Sequence, residues 1–532
     1  MKRHEDRTRT PRVRSLLVVA VLMWGGATVA MAADWRSKID SSVLATAETG
    51  EQTEFLIFLK DQADLSGTPE ASTKVDKGRY VFEHLRAAAA RSQGSLIEIL
   101  KAGGYSHRSF WIANMIWVRG DLEIVQQLAR RPEVARLHAN PHVAFTDPEP
   151  SGDVSASTAP QGIEWNIVQV GAPVFWTAGF TGQGVVIAGQ DTGYDWDHPA
   201  LKNQYRGWSG TNADHDYNWH DSIHETGSSC GADSPFPCDD GNHGTHTLGT
   251  MVGDDGGANQ IGVAPGARWI GCRNMNSGDG TPASYAECFQ FFMAPTRVDG
   301  TDPDPSRAPH VINNSWSCPP SEGCTDPNVL HTVVSNTRAA GIVVVVSAGN
   351  SGSQCGSVST PAAIYEESMT VGATDSADII AGFSSRGGVT VDGSNRLKPN
   401  VTAPGVGIRS SLNNGSYSGH SWNGTSMAGP HVAGQVALII SAMPALAGRV
   451  ETLEACIEAT ATPLTSSQEC SGIPGSQVPN NTYGRGRIDL SLPLPYQCSA
   501  AFVFADDFEA GAPSGWSIEG DPLNPAGNIT QD

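Results

Sequence analysis

At 532 residues the chain exceeds the size at which one hydrophobic core stops growing, so more than one folding unit is expected. Its 39% hydrophobic and 17% charged residues exclude a disordered or membrane-embedded chain, and a formal charge of −21 excludes the clustered cations on which nucleic-acid binding depends. The 59 glycines and 33 prolines predict many tight connections, with function carried on loops.

Residues 1–32 read as an export signal: basic residues through Arg14, an apolar run over Leu16–Trp24, then Ala30, Met31 and Ala32 as a cleavage site. That run is too short to span a bilayer as an anchor, and no later segment is apolar enough. A secreted protein without a membrane partner is expected. Residues 33–147 alternate β-rich runs, Phe55–Leu59 and Ile112–Val118, with amphipathic stretches such as Leu122–Ala129, which predicts a small α+β unit. Residues 148–162 break composition toward Ser, Pro and Ala and read as a linker.

From 163 to 495, near-continuous apolar runs recur at Val185–Ala188, Trp269–Ile270, Val311–Ile312 and Ile342–Val346, as in strands buried on both faces. Helical patterns at Ser284–Phe292, Val329–Ala340 and Met427–Ala442 separate them, so an α/β domain with a largely parallel sheet is predicted. Active sites of such sheets gather at the carboxyl ends of the strands. Residues 496–532 form a short tail around Phe504–Glu509 and Gly515–Ser517, too short for a β-rich domain, and no activity is assigned to it.

All ten cysteines fall between Cys230 and Cys498, and in an exported chain they read as disulfides rather than metal ligands. The local pairings are Cys230 with Cys238, Cys272 with Cys288, Cys318 with Cys324 and Cys456 with Cys470, leaving Cys355 and Cys498. Spacing alone does not settle the connectivity.

Four segments carry candidate chemistry. Asp191 follows the strand Gly184–Gln190, where a buried carboxylate can meet a histidine from a neighbouring element. Asp191-Thr192-Gly193 also matches the aspartic-protease signature, but that mechanism needs two such carboxylates, no second Asp-Thr-Gly exists in the sequence, and one copy could serve only in a symmetric dimer. His243 precedes the apolar pattern Leu248, Met251, Val252 and suits a general base. A zinc pair with His246 would need a third ligand, and the glutamate of the usual metalloprotease helix is missing; His246 and His431 read as structural. Ser426 opens a helix among small residues, Gly424-Thr425-Ser426-Met427-Ala428-Gly429, where a hydroxyl is exposed beside unpaired backbone donors. A helix cap explains its position but not its small neighbours. Asn350, after the strand Ile342–Val346, is either a turn residue or an amide donor to an oxyanion.

The chain order Asp, His, Ser matches that of subtilisin. The stretches Asp191–Leu201, His243–Gly249, Ser347–Asn350 and Gly424–Gly434 resemble the four signatures of the subtilase family, and Gly262–Gly266 and Asn313–Trp316 fit the same family. The resemblance implies a doubly wound α/β fold and hydrolysis of peptide bonds in proteins, with Asp191, His243 and Ser426 as catalytic triad and Asn350 completing the oxyanion hole. It also implies substrate binding along Asn314, Ser315, Trp316 and Ser317, where Ser317 replaces the family's usual glycine. The 33–147 unit resembles a propeptide that blocks the cleft until self-cleavage; a permanent accessory domain is its alternative.

No cofactor is implied for catalysis. A structural calcium is left open: His198-Pro199 is followed by Ala200 where the family commonly carries an acidic ligand, and Asp195, Asp197, Asp214, Asp216, Asp254 and Asp255 read as solvated acidic loops. The expected partners are protein or peptide substrates and the chain's own propeptide, with a monomeric state. A catalytically silent binding or surface protein of the same fold is the competing function; it predicts an erased triad residue, and none is erased.

Overall fold

The computed structural model describes residues 35–68, 72–144, 162–492 and 498, and the backbone of the antiparallel strand pair Trp516–Ile518 and Ile529–Gln531. The expected export signal, nearly all of the linker and most of the tail lie outside the described residues.

The N-terminal unit is an antiparallel sheet built from β1 (Thr53–Leu59), β2 (Ser106–Phe110), β3 (Met115–Gly120) and β4 (Val134–Ala139), in the order β2-β3-β1-β4. Four helices accompany it: α1 (Ser41–Glu48), α2 (Lys74–Ser92), α3 (Gly94–Gly103) and α4 (Leu122–Ala129). Alternation along β1 explains how the unit is used. Phe55, Ile57 and Leu59 enter its own core with Leu96, Leu100 and Leu128, whereas Leu56 and Phe58 join a core shared with the larger domain. The expected strand over Ile112–Val118 begins later, at Met115, because Trp111–Asn114 form the turn between β2 and β3.

The larger domain is centred on seven parallel strands. These are β6 (Val186–Asp191), β7 (Trp219–Asp221), β8 (Arg268–Arg273), β10 (Val311–Asn314), β11 (Val343–Ser347), β12 (Met369–Thr374) and β13 (Val401–Pro404). The order β13-β12-β11-β10-β6-β8-β7 makes it a doubly wound α/β fold, and the short strands β5 (Val143–Ala144) and β9 (Asp279–Gly280) pair outside the main sheet. Both faces are covered. Val311, Val343 and Val345 point toward α5 (His243–Val252), α8 (Thr425–Ala442) and α9 (Val450–Thr460); Ile312, Val344 and Val346 point toward α6 (Pro282–Met293) and α7 (His331–Ala339). This is why the strands lack the hydrophobic-polar alternation of a half-exposed sheet.

The five disulfides correct two pairings. Cys230–Cys238, Cys272–Cys288 and Cys318–Cys324 are local as expected, but Cys355 pairs with Cys470 and Cys456 with Cys498. Cys456 lies on the buried face of α9 and faces the core, where Cys498 also lies, so its neighbour in sequence is not its neighbour in space. Cys498 thereby extends the domain's core past the boundary expected at 495.

Candidate active site

The carboxyl ends of β6, β10 and β11 bring the candidate residues to one side of the sheet. Asp191 is the last residue of β6 and is buried; its Oδ1 accepts from His243 Nδ1 at 2.7 Å and from the Thr192 N–H at 2.8 Å. A carboxylate acceptor at Nδ1 fixes the proton there and leaves Nε2 as the basic nitrogen.

His243 is the first residue of α5, and two glycines allow that helix to sit against the turn after Asp191. A Cβ on Gly244 would lie 2.1 Å from the Gly193 carbonyl oxygen, and one on Gly193, whose φ is +113°, would lie 1.7 Å from that of Cys238. Beneath the turn, the buried Asp239 accepts from Thr192 Oγ1 at 2.8 Å, from the N–H groups of Gly241 and Asn242 at 2.9 Å, and from Thr245 N–H at 3.1 Å. Burial raises its pKa and these donors oppose the rise. Asp239 was not singled out from sequence, although it opens the run leading into His243.

His246 and His431 both face inward. His246 stacks on Trp422 with ring centroids 4.3 Å apart, and its Nε2 meets the Ile408 carbonyl at 3.3 Å; burial first, then the His243 charge, lowers its pKa to about 3. His431 bonds Met427 O and Asn166 and is lowered to about 4 by burial.

Ser426 lies in the first turn of α8, one residue later than a helix-opening position. Its N-cap, Gly424, offers no side chain to the first-turn N–H groups, and of these the Thr425 N–H is taken by Asn350. Pro430, inside the helix, cannot donate to the Ser426 carbonyl; Ser315 Oγ donates to it instead at 3.0 Å. Ser426 Oγ donates to the Ser315 carbonyl at 3.4 Å. Asn350 faces the same helix end. Its Oδ1 accepts from Thr425 N–H at 3.0 Å and Thr425 Oγ1 at 2.9 Å, which turns the amide nitrogen outward as a donor.

Ser315, Trp316, Ser317, Asn350 and Ser426 line one cavity, with Trp316 stacked on Tyr285 at 3.9 Å. Asn314 is not among them. It ends the interior strand β10, and its side chain is held by Gln190 Nε2 at 2.7 Å and the Val345 carbonyl at 2.8 Å. The chain leaves the sheet only at 315. Ala144 lines the cavity too: β5 pairs antiparallel with β9, Val143 opposite Gly280 and Ala144 opposite Asp279, bringing the end of the N-terminal unit to the cleft.

Of the six acidic residues considered for calcium, Asp214, Asp254 and Asp255 accept from N–H groups of their own loops. Asp254 and Asp255 accept from the Gly256 and Gly257 N–H groups, and Asp216 pairs with Arg297 at 2.9 Å. Asp195 accepts from Gly415 N–H at 3.0 Å, and burial together with the adjacent Asp197 raises it to about 6. His198 Nδ1 accepts from the Ala200 N–H at 3.0 Å, so the sequence departure sits in a tight turn. Among the described residues, the one cluster of three metal-capable side chains lies elsewhere, at Glu54, His142 and Glu225.

An aspartate-histidine pair thus stands at the carboxyl end of β6, and a serine stands in the first turn of α8 facing the same cavity as Asn350. A model of the subtilase family matches residues 182–486. Bacillopeptidase F of Bacillus subtilis is 36% identical over 484 residues, 85% of this chain, which spans only 32% of that protein's length. Subtilisin E of Bacillus subtilis is 30% identical over 73% of the chain and 87% of its own length, and subtilisin of Bacillus pumilus is 34% identical over 58% and 94%. The chain belongs to the subtilase family of serine endopeptidases.

Proposed function

We propose that the protein is a secreted serine endopeptidase, made as a self-processed zymogen, that hydrolyses peptide bonds in proteins through an acyl-enzyme. The observation that carries this reading is the 2.7 Å contact between Asp191 Oδ1 and His243 Nδ1 at the carboxyl end of β6; Ser426, in the first turn of α8, lines a cavity together with Asn350.

Asp191 orients the imidazole and stabilises its cation, and His243 Nε2 takes the proton of Ser426 Oγ as that oxygen attacks the scissile carbonyl. The developing oxyanion is held by Asn350 Nδ2 and the Ser426 N–H, donors already oriented by Thr425 and the helix start. His243 then protonates the leaving amine, and water, activated by the same imidazole, releases the acid. Every step uses the chain's own groups, without a cofactor.

The zymogen reading is supported by how the N-terminal unit is seated. Leu56, Phe58, Phe110, Ile112 and Met115 share a core with α6 and α7, and each such burial contributes about 1.5–3 kcal/mol. Gln290 Oε1 accepts from the Trp111 and Ile112 N–H groups at 2.7 and 3.3 Å, and Asn140 Oδ1 accepts from Ala283 N–H at the start of α6. With Ala144 lining the cleft, substrate entry requires this unit to leave. Secretion rests on the N-terminal export pattern; among the described residues no helix is long and apolar enough to cross a membrane. Protein from the full-length chain should hydrolyse casein, and Ser426→Ala should not; casein hydrolysis at the parent rate by that variant would refute the assignment.

A further inference from the structure

Among the described residues, the cleft cavity is lined by one charged side chain, Glu322, which makes no ion pair. Ser317, Ser347, Ser351, Ser357 and Thr360 give the cavity a wall of hydroxyl-bearing residues, to which Glu322 is added from the turn Pro320–Glu322. That turn is fixed across the cleft by the Cys318–Cys324 disulfide and by packing of both cysteines on Val143. Among the described residues the Glu322 carboxylate makes no ion pair or hydrogen bond, and partial burial with the neighbouring Asp279 charge raises its pKa. Asp279 itself meets His142 at 3.1 Å.

We propose that this cavity selects a basic side chain, lysine or arginine, on the substrate residue whose carbonyl Ser426 attacks. The inference rests on the peptidase reading above and specifies its substrate class. Ser426 and Asn350 line the same cavity as Glu322, so the residue held at the oxyanion site sends its side chain in among these groups. A cation there gains a charge-assisted bond to a carboxylate that is already partly desolvated, and its remaining N–H groups find hydroxyl acceptors. An aliphatic side chain of equal length covers the carboxylate and hydroxyls and gives them no partner. The turn bearing Glu322 lies within the Cys318–Cys324 loop, apart from Ser426 and Asn350 in the chain, so its charge sets selectivity without altering the residues at the reacting bond.

The test uses active protein from the full-length chain and two fluorogenic peptides differing only at the attacked residue, lysine against norleucine. The expected kcat/KM ratio favours lysine by about tenfold or more, the scale of one charge-assisted hydrogen bond. Glu322→Gln should bring the ratio toward unity, and Glu322→Lys should favour a glutamate peptide over its glutamine counterpart. A parent ratio at or below one, or a ratio unchanged in both variants, overturns the proposal while leaving the peptidase assignment intact. Failure to cleave either peptide, with no labelling by a fluorophosphonate, overturns the peptidase assignment and this inference together.

Discussion

Asn350 shows how a single amide acquires a direction. Thr425 donates twice to its oxygen, so the NH₂ group faces the cavity, and the hydroxyl of Thr425 also accepts from the Gly349 N–H at 3.2 Å. Loss of such an asparagine donor in a subtilisin lowers turnover about 10²–10³-fold, and Asn350→Leu is expected to fall in that range with KM little changed, as measured by steady-state peptide hydrolysis. A raised KM with kcat unchanged would instead mark Asn350 as a ground-state contact. Much of this was legible in sequence because small residues were needed: only glycine fits at 193 and 244, so the motifs around Asp191 and His243 report close approaches of backbone. The side-chain direction of Asn314 was not legible. It sits inside a cleft motif, but its place in an interior strand commits its amide to Gln190 and Val345. Glu322 was equally hidden, because only the tertiary path of the Cys318–Cys324 loop brings it to the cavity.

Among the elements, the strands were read most securely, since runs such as Val343–Ser347 have no polar face in any register. Helix starts drifted by one or two residues: α6 begins at Pro282, whose fixed φ suits a first turn, with Thr281 and Ser284 forming a capping box. Long-range crosslinks were not readable at all. Cys355 and Cys470 are 115 residues apart, and constraining so long a loop in the unfolded chain is worth about 5 kcal/mol, against about 2.5 kcal/mol for the 8-residue separation of Cys230 and Cys238. Replacing both members of each pair by serine should therefore lower stability more for Cys355–Cys470 in reversible denaturant unfolding. The opposite ranking would contradict the chain-entropy account.

At the scale of the whole molecule, the N-terminal unit and the larger domain share a core, and their polar contacts make the association depend on pH. Lys74 Nζ, fully buried, donates to the Ala308 carbonyl at 2.8 Å, and burial, with the nearby Arg206 charge, lowers its pKa to about 7. In water a lysine titrates near 10.4, so between about pH 7 and 10.4 the separated or unfolded state binds more protons and the docked state gains stability as pH rises. At the acid end, Asp326 is held near 2, chiefly by its bond to His138 and also by Arg136, and this contact is lost as pH falls from about 4 toward 2. Both signs agree: acid loosens the unit. The first unfolding transition of full-length Ser426→Ala should rise between pH 7 and 9, and Lys74→Met should remove that slope; equal slopes in the two proteins would show that Lys74 does not carry it.

The central claim is that three residues far apart in the chain act as one nucleophilic relay, and covalent labelling tests it most directly. Active protein from the full-length chain, treated with a fluorophosphonate and digested, should carry a single adduct on the peptide containing Ser426, with His243→Ala slowing its formation by orders of magnitude. An adduct elsewhere, or labelling of Ser426 at an undiminished rate without the imidazole, would contradict the account.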